Sequence, residues 1–93
     1  MPTVKIPPVL RAQTDGAAEV AADGSTVGEV LRALAEAHPG TAGQLFGSDG
    51  ALNRYVNVYL NDEDVRVLDG LDTPAVDDDT VVILPAMAGG ARS

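Results

Sequence analysis

Val81-Val82-Ile83-Leu84-Pro85-Ala86-Met87-Ala88-Gly89-Gly90-Ala91-Arg92-Ser93 is one continuous stretch whose two halves obey different rules. The first half is a run of β-branched and aliphatic residues. It predicts a strand from Thr80 to Leu84, apolar enough to lie centrally in a sheet. Pro85 stops it. The second half offers nothing to fill a core, and consecutive glycines leave the backbone at its freest. From Met87 to Gly90 an extended chain reaches about 13 Å, enough to enter a deep, narrow site. The working group of such a tail is a main-chain carboxylate at Gly90. Taken alone, the Gly89-Gly90 pair does not separate a threading tail from a frayed end; the rest of the chain bears on that choice.

A central strand needs neighbours. Tyr55-Val56-Asn57-Val58-Tyr59-Leu60 alternates, with Val56, Val58 and Leu60 on one face and Tyr55, Asn57 and Tyr59 on the other. Thr3-Val4-Lys5-Ile6 alternates too, with Val4 and Ile6 inward. Pro7-Pro8 interrupts that strand, and Val9-Leu10 is expected to resume it. Thr14-Asp15-Gly16 is a turn signal, and Ala18-Glu19-Val20-Ala21-Ala22 a weaker strand that completes a hairpin. Thr26-Val27-Gly28-Glu29 is a capping box. Val27, Val30, Leu31 and Leu34 follow at helical spacing, with Arg32 and Glu36 outside, and the helix ends near His38, before Pro39-Gly40. Residues 41–54 read as a loop with one helical turn, pinned by Phe46. Asn61-Asp62-Glu63-Asp64 reads as a turn and Val65-Arg66-Val67 as a short strand. Leu71 and Val76 are expected to plug the core. The order β-β-α-loop-β-β-β, with one main helix on a mixed sheet of four to five strands, is an α+β, β-grasp (ubiquitin-like) roll, the last strand lying parallel to the first. No internal repeat interrupts it. Residues 1–86 make the domain, and 87–93 a flexible tail.

Composition narrows the function. The 93 residues carry 14 acidic and 6 basic side chains and a formal net charge of -8. Phosphate backbones and anionic membranes need clustered Lys and Arg, so nucleic acid and membrane are not expected partners. A basic protein surface is favoured instead. Asp62, Glu63, Asp64, Asp69, Asp72, Asp77, Asp78 and Asp79 crowd residues 61–79 against Arg66 alone. The chain has no cysteine, which removes disulfides, thiolate catalysis and cysteine-based zinc sites. Neither a signal-peptide pattern nor an apolar run of membrane-spanning length is visible, so a cytoplasmic location is expected.

Four segments carry a family likeness: Lys5-Ile6-Pro7; Ser25-Thr26-Val27-Gly28-Glu29-Val30-Leu31; Arg54 through Arg66; and Val82-Ile83-Leu84-Pro85-Ala86-Met87-Ala88-Gly89-Gly90. On these the chain resembles the small ubiquitin-like sulfur carriers of the MoaD/ThiS group, most closely the CysO-type carriers of actinobacterial cysteine biosynthesis. The resemblance implies a protein that is not an enzyme and binds no cofactor. A ubiquitin-activating-type adenylyltransferase (MoeB/ThiF/MoeZ-like) would adenylate Gly90 with ATP, and sulfur would replace AMP to give a thiocarboxylate. A PLP-dependent cysteine synthase would take the sulfur, and a zinc-dependent JAMM-type metalloprotease would free cysteine from the carrier's end. Leu84, Pro85, Ala86, Met87, Ala88 and Gly89 become the segment that partners grip. ATP, PLP and zinc belong to those enzymes.

Two departures stand out. Family members usually end at the second glycine, whereas Ala91-Arg92-Ser93 follow here, so a carboxylate at Gly90 requires cleavage of the Gly90–Ala91 bond. The last turn typically holds Asp-Gly-Asp, where this chain has Asp77-Asp78-Asp79; aspartate tolerates left-handed backbone, which would keep the turn.

The remaining side chains point to no chemistry of their own. His38 sits where a helix ends and the dipole favours it; a catalytic base needs a positioned nucleophile, and Ser25, Thr26 and Ser48 show no triad spacing. The Asp62-Glu63-Asp64 and Asp77-Asp78-Asp79 turns lack calcium-loop spacing and read as solvated turns, with docking of a basic partner as their functional use. Other readings of the tail are the small subunit of molybdopterin synthase, a carrier feeding thiamin or a secondary metabolite, and a protein modifier joined to lysines. Lys5 is the only lysine, which disfavours chain-building but not single attachment.

Overall fold

A computed structural model describes residues 1–47, 50–53 and 56–85, with Pro85 described in its backbone only. The elements are β1 (Thr3–Lys5), β2 (Glu19–Ala21), α1 (Val27–Ala37), α2 (Ala42–Leu45), β3 (Val56–Leu60), β4 (Glu63–Asp64) and β5 (Thr80–Pro85), with short 3-10 segments between them. The five described strands form one mixed sheet in the order β2-β1-β5-β3-β4. β5 is central, parallel to β1 (Val4↔Val81) and antiparallel to β3 (Val58↔Ile83). This is the β-grasp arrangement expected from the alternation and the single long helix.

The core explains the topology. Val4, Val58, Val81 and Ile83 point from three adjacent strands toward Val27, Val30, Leu31 and Leu34 of α1, all essentially inaccessible to solvent. Each such side chain removed from water contributes roughly 1.5–3 kcal/mol, so the apolar stripe of one helix and the inner face of one sheet hold most of the stabilisation. The Thr26 hydroxyl accepts the Glu29 N–H at 3.1 Å, and the Glu29 carboxylate accepts the Ser25 N–H at 2.9 Å. The reciprocal bond thus lands one residue earlier than a capping box places it. α1 ends where the His38 N–H bonds to the Leu34 carbonyl.

Five local expectations need correction. Val9-Leu10 does not resume a strand: Pro8–Thr14 is a 3-10 helix, because Pro8 is preset for a first helical turn and lacks an N–H for a ladder. The segment closes with Asp15 in the left-handed region (φ 56°) and Gly16 at φ 84°. Val65–Val67 is likewise a 3-10 turn, capped by the Asp64 carboxylate accepting the Arg66 N–H, while the fourth strand is the preceding Glu63–Asp64. Phe46 is only half-buried; Leu45 of α2 is the fully buried pin. Leu71 packs on the core, but Val76 is 64% exposed and Ala75 takes its place. The 77–79 turn survives without left-handed backbone, since positive φ among described non-glycine residues occurs at Asp15 and Asn61 alone. Its geometry is held by Asp79, whose carboxylate accepts the Val76 N–H at 2.9 Å and the Asn61 amide at 3.1 Å.

Candidate functional site

The candidate site is built on the last strand. Val81 and Ile83 are driven inward, which leaves Thr80, Val82 and Leu84 on the outer face of the sheet. Leu84 is 46% exposed and stands opposite Asn57, in the row just before the final pair Val56↔Pro85. Pro85 brings no N–H to the ladder, so pairing terminates there. The chain therefore leaves the sheet from its middle, with β1 on one side and β3 on the other. Ala86, Met87, Ala88, Gly89, Gly90 and Ala91, named from the sequence as gripped, modified or cleaved, lie outside the described residues, as do Tyr55 and Ser48.

Both flanks of this root are basic. A depression of about 220 Å³ beside it is lined by Lys5, Pro7, Pro8, Arg11, Val82 and Leu84, among others. The Arg11 Nε–H is fixed by a 3.2 Å bond to the Ile6 carbonyl. On the β3 side, the Arg66 guanidinium donates to the Asn57 side-chain oxygen at 2.8 Å, the Val56 carbonyl at 2.8 Å and the Asn53 carbonyl at 3.1 Å. It ties the approach to β3 against the strand that pairs with Pro85. Sequence reasoning did not assign these roles. The available signal was Arg66 itself, a lone cation within an acidic stretch.

Asp23, Asp77, Asp78 and Asp79 gather at the other end of β5. There the Met1 ammonium meets Asp77 at 3.0 Å, the one ion pair among the described residues. Both groups are more than half exposed, so the pair adds little stability. A larger depression, about 500 Å³, lies at this end between Asp23, Ser25, Val76, Asp77 and Asp78. It is the bigger of the two depressions but is remote from the tail root. Hydrogen bonds from the Val76 N–H and the Asn61 amide hold the Asp79 carboxyl below the usual carboxylate range, slightly opposed by desolvation. Among the described residues no three His, Asp or Glu side chains are arranged to hold a metal ion. No described helix is long and apolar enough to cross a membrane.

Comparison with known proteins follows the same lines. The family model described as ThiS family matches residues 4–90, ending on the second glycine of the Gly-Gly pair. The sulfur carrier protein CysO of Mycobacterium tuberculosis is 48% identical over 90 residues, 95% of this chain and 97% of its own length. A chain in the crystal structure of the Amycolatopsis orientalis BexX/CysO complex superposes with a TM-score of 0.89 at 44% identity, covering 97% of this chain and all of its own. Small archaeal modifier protein 3 of Haloferax volcanii is 44% identical over 68 residues, 73% of each chain.

Proposed function

The chain belongs to the ThiS family of ubiquitin-like sulfur carriers, and from that footing we propose that it carries sulfur as a thiocarboxylate on Gly90. The observation that supports this most is the extent of the family match, which runs through the whole roll and ends on Gly90. In this reading residues 1–86 are the holder and 87–93 the tail, with Ala91-Arg92-Ser93 removed before use.

The chemistry needs little from the carrier's side chains. A carboxylate is a poor electrophile. Attack of a Gly90 carboxylate oxygen on the α-phosphate of ATP, with loss of pyrophosphate, converts it to an acyl-adenylate. Sulfur from a donor then displaces AMP and leaves the thiocarboxylate. A ubiquitin-activating-type adenylyltransferase performs the first step, and a PLP-dependent cysteine synthase receives the sulfur. In the synthase the thiocarboxylate sulfur bonds to the β-carbon of the amino-acid acceptor, and an acyl shift from sulfur to the acceptor's nitrogen leaves cysteine amide-linked to Gly90. A JAMM-type metalloprotease hydrolyses the amide that follows Gly90, first at Ala91 and later at this cysteine. ATP, PLP and zinc act within those partners. The carrier contributes an unhindered end on a rigid roll and, having no cysteine, no thiol of its own to intercept the sulfur.

Intact-mass analysis of the protein isolated from its native host tests this. The expected species ends at Gly90, with a fraction heavier by the exchange of one oxygen for sulfur. A full-length mass alone, with no trimmed species, overturns it. A second reading, a protein modifier, is favoured by the likeness to small archaeal modifier protein 3. It predicts Gly90 joined to lysine ε-amines in digests of host lysate in place of the thiocarboxylate.

A further inference from the structure

The two ends of β5 differ in charge, although the net charge is -8. Asp77 and Asp78 precede the strand, and Asp62 follows β3 at the same end of the sheet. Arg11 and Arg66 flank the opposite end, where the chain leaves, and Lys5 stands midway, beside Val82 in the row that runs from Glu19 to Asp64. The length of the six-residue strand, roughly 17 Å, separates Arg11 and Arg66 from the acidic end, about twice the Debye length at physiological salt, whereas Lys5 stands roughly 10 Å from it. An approaching partner therefore meets one sign or the other, not their sum.

The basic group is available for pairing. Among the described residues no carboxylate forms an ion pair with Lys5, Arg11 or Arg66. Glu19 is the cross-strand neighbour of Lys5 and Asp15 caps the segment that carries Arg11, each without an ion pair to that cation, and the Asp64 carboxylate is engaged by the Arg66 N–H. Arg11 and Arg66 are held in place by bonds to neutral oxygens, so their charge is oriented but not neutralised. Between the two flanks Leu84 exposes apolar surface, continuous with Pro7 and Pro8 in the same depression.

We propose that this collar of Lys5, Arg11 and Arg66 around Leu84 is a docking surface for an acidic rim on the protein that accepts the tail. The proposal rests on the carrier reading of Gly90 and adds the partner's chemistry to it. A phosphodiester or an anionic membrane is a poor occupant, since an extended polyanion also feels the acidic bulk of the molecule. A protein rim places its carboxylates only at the collar and an apolar contact on Leu84. The acidic end of β5 repels the same rim, so complementarity selects the orientation that aims the tail at the entrance. A basic partner, favoured by composition alone, would be drawn to the opposite end.

The experiment is the association rate and affinity of the full chain for the ubiquitin-activating-type adenylyltransferase encoded in the same genome, with pyrophosphate release from the Gly90-ended chain assayed alongside. Lys5 is exposed, so Lys5→Glu should fold, which thermal melting verifies; Arg11→Gln keeps a donor for the Ile6 carbonyl. Wild-type affinity is expected to fall about tenfold between low and physiological salt, and Lys5→Glu to weaken binding by a similar factor, mainly through slower association. Arg11→Gln should weaken it about threefold, and Asp78→Asn should stay within about twofold of wild type. Wild-type binding by both collar variants, or an equal loss in Asp78→Asn, overturns the docking surface. If Gly90 is adenylated all the same, the carrier reading stands without it. No binding and no adenylation of the wild type overturns both.

Discussion

A β-carbon added at Gly28 would lie 2.9 Å from the Leu71 carbonyl oxygen and 3.0 Å from the Leu71 Cβ. In an open helix Gly→Ala gains roughly 1 kcal/mol from propensity. Here the contact is with backbone and Cβ, which cannot swing aside. The sign should therefore reverse: Gly28→Ala is expected to cost a net 1–2 kcal/mol or so, read as a lower urea midpoint. Asp79 gives the pH dependence. Its carboxyl titrates lower in the folded protein than in the unfolded chain, so it contributes stability above the unfolded value of about 3.9 and loses it as pH falls through the folded one. Urea titrations should show wild type more stable than Asp79→Asn at neutral pH, with the gap closing below about pH 4. Neither effect was legible in the sequence. Gly28 reads as a neutral second helical residue, and Asp79 as one of three identical aspartates. Only the structure distinguishes the one that bonds to Val76 and Asn61.

Long, strongly patterned elements were legible at the scale of helices and strands, and short ones were not. α1 and β3 follow from their periodicity because each buries an apolar stripe, and β5 from its unbroken apolar run. Thr26→Ala should lower stability by about 1 kcal/mol, measurable by thermal melting, since it orphans the Glu29 N–H. Val65-Arg66-Val67 alternates like a strand, yet the Asp64 cap and a Leu68 N–H to Val65 carbonyl bond at 3.0 Å turn it into a 3-10 segment. Val65 is buried and Val67 is 77% exposed. Residues 73–76 mislead differently. The Ala75 N–H bonds to the Ser25 carbonyl at 3.0 Å, which fixes an in-out alternation with Thr73 and Ala75 inward. The larger Val76 is left outside because register, not size, decides. At the candidate site Gly90 and its neighbours were legible as a motif. The basic flanks were not, since Arg66 is far in sequence from Lys5 and Arg11 and is brought toward them only through the sheet.

The whole molecule closes only when its last strand arrives. β5 supplies the neighbour on which both β1 and β3 depend, and the Thr3 N–H reaches the Asp79 carbonyl at 3.1 Å across almost the full length of the domain. A chain ending at Asp79 should therefore show no cooperative unfolding transition by circular dichroism; a sharp transition would contradict this assignment of β5. Such contacts between distant segments also slow folding relative to a helical bundle. The parallel seam between β1 and β5 has a consequence for biosynthesis. While the ribosome still shields residues 80–85, the nascent chain holds two unmated strand edges, and such edges invite aggregation and proteolysis. A copy terminated before residue 80 lacks both the keystone strand and the diglycine, so the fragments that fail to assemble are also those without the Gly-Gly end.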